Sequence, residues 1–251
     1  LPGILDSTDA LALKEAPKSL CIIGGGVIGL EFASVFSKLG TEVSVVEYAK
    51  GILPRFDSDV AKRLRLLLEK SGIRIETSAA VSSITTAPDG YAVNYECKGS
   101  MKSVCAASVL MAVGRRPNVE DLGLETAGIE FGPKGIVVDE NMCTSAEGVY
   151  AIGDVCGGMM LAHTAKYQGR RALCHIFGEK DGLDFSAVPA AVFTEPELAT
   201  IGLCEDDAKA QGLDFKCIKS FYRACGKAVA MGQSEGLCKI VADNATGRVL
   251  G

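Results

Sequence analysis

The chain has 251 residues, 48% hydrophobic and 23% charged, and its 26 Lys and Arg against 31 Asp and Glu leave a net charge of −5. These figures describe a globular chain of one large or two to three small domains, long enough to bury a sizeable core. The mildly acidic balance excludes nucleic acid as the main partner. The longest apolar runs, residues 20–30 and 104–114, fall far short of the ~18 residues of a membrane-spanning helix, so no membrane partner is expected. Residue 1 is Leu, no basic-then-apolar leader follows it, and the chain closes on the apolar Val249-Leu250-Gly251. Both ends are expected to be cuts.

In chain order, residues 1–19 read as a connecting strip with turn residues Pro2, Gly3 and Pro17. A buried strand follows, Leu20-Cys21-Ile22-Ile23, then three glycines and an amphipathic helix to about Leu39, ended by Gly40. Val43-Ser44-Val45-Val46 is a second strand. Asp57 or Ser58 caps a second helix, whose Val60, Leu64, Leu67 and Leu68 fall at i, i+4, i+7 and i+8. Ile73-Arg74-Ile75 is a third strand, so residues 20–76 read βαβαβ and imply a parallel sheet. Residues 80–105 alternate, with Tyr91, Val93 and Tyr95 on one face and turns at Pro88-Asp89-Gly90 and Lys98-Gly99-Ser100. That pattern predicts an antiparallel meander. Residues 108–113 and 149–152 read as buried strands, 162–177 as a helix, and Pro189 as a domain boundary. Beyond it come a strand, a helix over 205–211, and strands ending in a hairpin turn at 243–247 whose return strand is short.

Ten cysteines are too few for a disulfide scaffold, and none has C-x-x-C spacing or four intervening residues. With only His163 and His175 available, no metal site is expected. Most of these thiols read as small buried hydrophobes in a reducing compartment, which makes the cytoplasm the expected location.

The chemistry-bearing motif is Gly24-Gly25-Gly26-Val27-Ile28-Gly29, a G-x-G-x-x-G that leaves a strand and opens a helix within a βαβ unit. Gly24 makes the tight turn, Gly26 lets backbone N–H groups approach a pyrophosphate, and Gly29 lets the helix pack close on the strand. The helix N-terminus adds about half a positive charge. Glu47, eighteen residues after Gly29 at the end of the second strand, is placed to accept from the ribose 2′-hydroxyl and to repel a 2′-phosphate, which favours NAD over NADP. Lys50 and Arg55 nearby pull the other way. A second signal is Val149-Tyr150-Ala151-Ile152-Gly153-Asp154. An apolar strand ending in Gly-Asp sets a carboxylate at the carboxyl edge of a sheet, where α/β folds bind ligands, although a strand followed by an Asx turn has the same pattern.

These residues, in order with Ala-Val-Gly-Arg-Arg-Pro-Asn (112–118), Met-Leu-Ala-His (160–163), Phe-Thr-Glu-Pro-Glu (193–197) and Met-Gly-Gln-Ser-Glu-Gly-Leu-Cys-Lys-Ile-Val-Ala-Asp (231–243), resemble the flavin- and nicotinamide-dependent disulfide oxidoreductase family along essentially the whole chain. The resemblance implies an α/β chain. Residues 1–16 would be a linker or flavin-domain edge, 17–118 a Rossmann-like NAD-binding domain, 119–187 the returning part of an FAD-binding domain, and 188–251 the start of an α+β interface (dimerisation) domain. It implies that Gly24, Gly25, Gly26, Val27, Ile28 and Gly29 hold the NAD pyrophosphate and that Glu47 holds the adenosine ribose. Val81 and Gly114 would lie along the NAD, and Glu31 near the nicotinamide–flavin contact. Asp154 would bind the ribityl chain of FAD, and Met160, Leu161, Ala162 and His163 would present backbone to the flavin. In that arrangement His163 is not the catalytic base.

The family's redox-active cysteine pair and its catalytic His–Glu pair have no counterpart here, so no catalytic residue is expected in this stretch and the chain reads as a central slice. In the whole enzyme, the resemblance implies electrons passing from dihydrolipoyl groups of an acyltransferase or carrier protein through a disulfide and FAD to NAD+, in a homodimer. The isolated chain is expected to bind NAD weakly, hold FAD poorly and not turn over. A sibling acting on mercuric ion or glutathione, or a non-catalytic NAD-binding or dimerisation module, are the alternatives. Cys156, two residues past Asp154, is expected near a cofactor but as a packing residue.

Overall fold

The computed structural model describes residues 4–251, so Pro2 and Gly3 of the expected strip lie outside the described residues. Two compact units emerge, one formed by residues 4–114 with Ala191–Gly251 and the other by Arg115–Ala190.

Residues 4 and 5 open the first unit as strand β1 (Ile4–Leu5), followed by a short helix α1 (Ser7–Leu11) capped by the Asp6 carboxylate. Then come β2 (Ser19–Ile23), α2 (Val27–Lys38), β3 (Glu42–Val46), α3 (Ser58–Lys70) and β4 (Arg74–Glu76). An antiparallel meander of β5 (Ala79–Ala87), β6 (Gly90–Cys97) and β7 (Ser100–Ala106) precedes β8 (Ser108–Met111). A five-stranded sheet has the order β1-β8-β2-β3-β4, and its pairings are all parallel. The expected connecting strip is corrected here. Ile4 and Leu5 pair with Val109 and Leu110, which makes residues 4–5 the edge strand of this sheet. Two residues carry too little periodicity to read as a strand, and only the exposed edge of β8 makes them one.

Both faces of the sheet are covered, which is why its strands read as unbroken apolar runs. On β2, Leu20 and Ile22 pack with Leu30, Ala33 and Phe36 of α2 and Leu64 and Leu68 of α3. Cys21 and Ile23 point the other way, into a core with Val93, Tyr95 and Cys97 of the meander. The period of two along a strand sends alternate side chains to opposite layers. Asp57 caps α3, accepting from the Asp59 and Val60 N–H groups.

In the second unit, β9 (Phe131–Gly132) and β10 (Gly135–Ile136) form a hairpin over a small core of Leu124, Ile136 and Ala151. A 3₁₀ turn over Gly153–Cys156 leads to α4 (Ala162–Ile176). The expected strand at 149–152 is corrected. Its one ladder contact is a bridge between Tyr150 and Cys143, and Val149 and Ile152 are exposed. Residues 142–144 run beside it, but only the Thr144 N–H to Val149 carbonyl and Ala151 N–H to Met142 carbonyl bonds join them, so the pairing stops at one bridge and no strand extends.

The chain from Ala190 onward returns to the first unit, which it rejoins at Ala191. It holds β11 (Ala190–Val192), β12 (Leu198–Thr200), α5 (Glu205–Ala210), β13 (Phe215–Phe221), α6 (Gly226–Ala230) and β14 (Leu237–Asp243). β13 and β14 pair antiparallel from Phe215–Asp243 to Phe221–Leu237. Val192 and Leu198 complete the helix-side core. Three side chains spaced along α2 grip this segment. Glu31 accepts from the Phe193 N–H at 2.9 Å, the Ser34 hydroxyl from the Glu195 N–H at 3.0 Å, and Lys38 pairs with the Glu195 carboxylate at 2.8 Å. Among the described residues, no helix is long and apolar enough to cross a membrane.

Candidate functional site

The glycine turn sits where β2 ends. The Gly24 N–H donates to the Val46 carbonyl at 2.9 Å and Ala112 N–H to the Ile23 carbonyl at 2.8 Å, so the turn is stitched to strands on both sides. Gly24 has φ +113°, and a side chain there would run into the Ala112 carbonyl. One on Gly29 would strike the Gly24 carbonyl. Both positions are therefore demanded by backbone meeting backbone. Gly26 differs: a Cβ built there meets nothing within 4 Å. It opens α2 without a side-chain cap, and the first turn of α2 carries no acid. A space beside an uncapped helix N-terminus suits a phosphate group. Val27 and Ile28 supply the first helical amides there.

Glu47 follows β3. One of its oxygens accepts from the Gly25 N–H and the other from the Ala49 N–H at 2.6 Å. The carboxylate thus stands beside the glycine turn, with Glu47 atoms 3.1–3.2 Å from where a Gly25 side chain would begin. Sequence reasoning missed Leu53. This fully buried leucine has φ +50° and donates its N–H to the Gly25 carbonyl at 3.0 Å. Nothing in local pattern marks it, because a left-handed backbone on leucine is chosen by its surroundings. Ala112 and Val113 run beside Gly24, and Gly114 follows with φ +126°. Val81 lies on β5 opposite Tyr95, packed against the meander core. The carboxylate of Glu31, expected at a nicotinamide contact, is engaged by the Phe193 N–H.

The second unit carries the other expected group. Asp154 is exposed in the 3₁₀ turn. Leu161 precedes α4 without a side-chain cap, no acid occupies the first turn, and Ala162 and His163 are exposed. Met160 and Leu161 are half-buried just before it. The Thr164 hydroxyl, in that same turn, is buried without a hydrogen-bond partner. A fifteen-residue helix with a bare N-terminus and an orphaned hydroxyl is a fitting cradle for an electron-rich ring edge. His163 donates through Nε2 to the Pro189 carbonyl at 2.6 Å. Cys156 is half-buried against the small core, and burial pushes its thiol up.

A charged cluster lies elsewhere in the first unit, and sequence reasoning missed it too. Lys239 of β14 meets Asp57 and Asp59 of the α3 start and Glu205 of α5. Burial pulls the Lys239 ammonium down, but the Asp57, Glu205 and Asp59 carboxylates outweigh it and hold it above the usual lysine range. Among the described residues, no cluster of His, Cys, Asp and Glu could hold a metal ion.

Residues 2–169 match the pyridine nucleotide-disulphide oxidoreductase family, and residues 188–251 match the dimerisation domain of that family. The chain belongs to this family of flavin- and pyridine nucleotide-dependent oxidoreductases. Its relatives include the dihydrolipoyl dehydrogenases of Bacillus subtilis, 42% identical over 250 residues (99% of this chain, 53% of the relative), and of Halobacterium salinarum, 43% identical over 251 residues (99% and 53%). Among solved structures, the HOCl-induced flavoprotein disulfide reductase RclA from Escherichia coli superposes with a TM-score of 0.86 at 34% identity, covering 99% of this chain and 57% of that one. LpdA from Mycobacterium tuberculosis superposes at 0.87 and 32% identity, covering 99% and 54%. The chain spans about half the length of the relatives it matches.

Proposed function

We propose that this chain supplies the NAD site and part of the FAD site of a dihydrolipoyl dehydrogenase. The observation that carries the reading is the open space at Gly26, flanked by an uncapped α2 and by the Glu47 carboxylate. Amides of Gly26, Val27 and Ile28 hold the pyrophosphate, with Gly24, Gly25 and Gly29 shaping the turn. Glu47 accepts from the adenosine ribose hydroxyls and repels a 2′-phosphate. Val81 and Gly114 line the remaining length of the nucleotide, and Glu31 stands towards its nicotinamide end.

Asp154 accepts from the ribityl hydroxyls of FAD. Met160 and Leu161 would lead the chain to the flavin, and the Ala162 and His163 amides at the bare start of α4 would favour the negative charge the flavin gains on reduction. Bound together, the two cofactors supply hydride transfer. The electron donor in this reading is the dihydrolipoyl group of an acyltransferase or carrier protein, and ten unpaired thiols favour the cytoplasm as the location. Fluorescence titration with NADH and NADPH tests the nucleotide site: tighter binding of NADH is expected, and preference for NADPH contradicts the role of Glu47.

A further inference from the structure

The Gly25 peptide groups are held from two directions by one loop. The Glu47 carboxylate accepts from the Gly25 N–H, and the Leu53 N–H donates to the Gly25 carbonyl at 3.0 Å. Each holder is itself fixed. Ala49 N–H binds the second Glu47 oxygen at 2.6 Å. Leu53 is 1% exposed, with its side chain in the main core beside Ile52, and it keeps φ +50°. That backbone region is costly for a leucine, so it persists only where packing over-determines it. In a planar trans peptide the carbonyl of one residue and the N–H of the next point in opposite directions. Fixing the Gly25 carbonyl on Leu53 therefore turns the Gly26 N–H away from Leu53. Gly26 is the position where a Cβ would meet open space.

We propose that Glu47 and Leu53 are positioning residues for a nucleotide pyrophosphate. By clamping Gly25 they preset the Gly26 amide, so Glu47 acts on phosphate binding through the backbone as well as on the ribose. The proposal rests on the nucleotide-site reading above and adds a second task to Glu47. An amide that is already oriented needs no reordering when an anion arrives, so affinity rises without a new contact.

The test compares two neutral replacements in the full chain, Glu47→Gln and Glu47→Ala, so that the lost charge cancels. The probes are ADP and 2′,3′-dideoxy-ADP, the latter having a pyrophosphate but no ribose hydroxyls for residue 47 to hold. The glutamine amide oxygen still accepts from Gly25 N–H, and alanine does not. Calorimetry is expected to show Glu47→Gln binding the dideoxy nucleotide about fivefold more tightly than Glu47→Ala, the size of one net hydrogen bond. Equal affinities overturn the clamp and leave Glu47 a ribose contact alone. Hydrogen exchange at the Gly25 amide, without ligand, is a separate readout. It is expected to be slow in the parent chain and Glu47→Gln and at least tenfold faster in Glu47→Ala, and unchanged exchange overturns the clamp. Should the parent chain bind neither nucleotide, the nucleotide-site reading fails while the exchange measurement still decides the clamp. If Glu47→Ala does not fold, Glu47→Met keeps the side-chain length without an acceptor and carries the same expectations.

Discussion

The Lys239 ammonium lies 2.8 Å from the Asp57 carboxylate, and the two side chains are only 4% and 10% exposed. Asp57 is also the N-cap of α3, and its second task is to accept from the Glu205 N–H at 3.3 Å. Asp59 and Glu205 complete the shell around Lys239, and each has a further cation, Lys219 and Lys209, at 2.6 Å. Three cations thus meet three carboxylates where α3, α5 and β14 converge. Such a cluster tolerates burial only because every charge is matched.

Replacing Lys239 by Met removes the central cation and leaves Asp57 and Glu205 facing each other. A loss of about 3 kcal/mol is expected, the usual effect of breaking a buried pair from one side. Urea unfolding followed by far-UV circular dichroism checks it, and an unshifted midpoint would show that the cluster is a bystander.

The same cluster sets an acid limit. Lys219 first and Lys239 second hold the Asp59 carboxyl down from 3.8 to about 2, and Lys209 then Lys239 hold Glu205 down from 4.5 to about 2. Both are lower in the folded chain than in the unfolded one. Their stabilisation is therefore complete above about pH 4.5 and is lost as the pH falls towards 2. Melting temperatures measured across that window should fall more steeply for the parent chain than for Lys239→Met.

Glycine substitutions separate fold from binding. Gly29→Ala drives a methyl into the Gly24 carbonyl, so the turn must shift and thermal stability should drop by several degrees. Gly26→Ala has room, and Gly26 already has φ −80°. It should melt like the parent chain while losing at least tenfold in NADH affinity, because the methyl fills the space proposed for the pyrophosphate. Equal NADH binding by the parent and Gly26→Ala would remove that space from the site.

Thiol accessibility gives a fourth measurement. Cys105, Cys225 and Cys238 are exposed, whereas Cys21 and Cys97 are buried and burial pushes the Cys21 thiol up to about 12. A thiol that stays protonated does not attack a disulfide reagent. The three exposed thiols should react first with such a reagent at pH 8, and Cys21 only after unfolding. Early labelling of Cys21, read by mass spectrometry, would contradict its place between sheet and meander.

Much of the fold was legible in the sequence. The βαβαβ order, a helix cap at Asp57 or Ser58, the 80–105 meander and the helix from 162 all came from local periodicity and turn residues, and the elements observed agree, with Asp57 the residue that caps. The residues at 4–5 and 149–152 went the other way. Both depended on how far a neighbouring segment pairs with them, which no local pattern records.

By itself the sequence determined where the backbone must turn and which face of each element is apolar, because those follow from single-residue conformational limits and from side-chain period. It also placed Gly24, Gly26, Gly29 and Glu47 within one βα turn and the strand beside it. Only the tertiary structure decided that Leu53 adopts a left-handed backbone to reach Gly25, that Glu31 is met by Phe193, and that Lys239 finds Asp57 from 182 residues away. Those contacts join segments far apart in the chain. Their energies come from burial and from matched charges, which exist only once the chain has closed on itself.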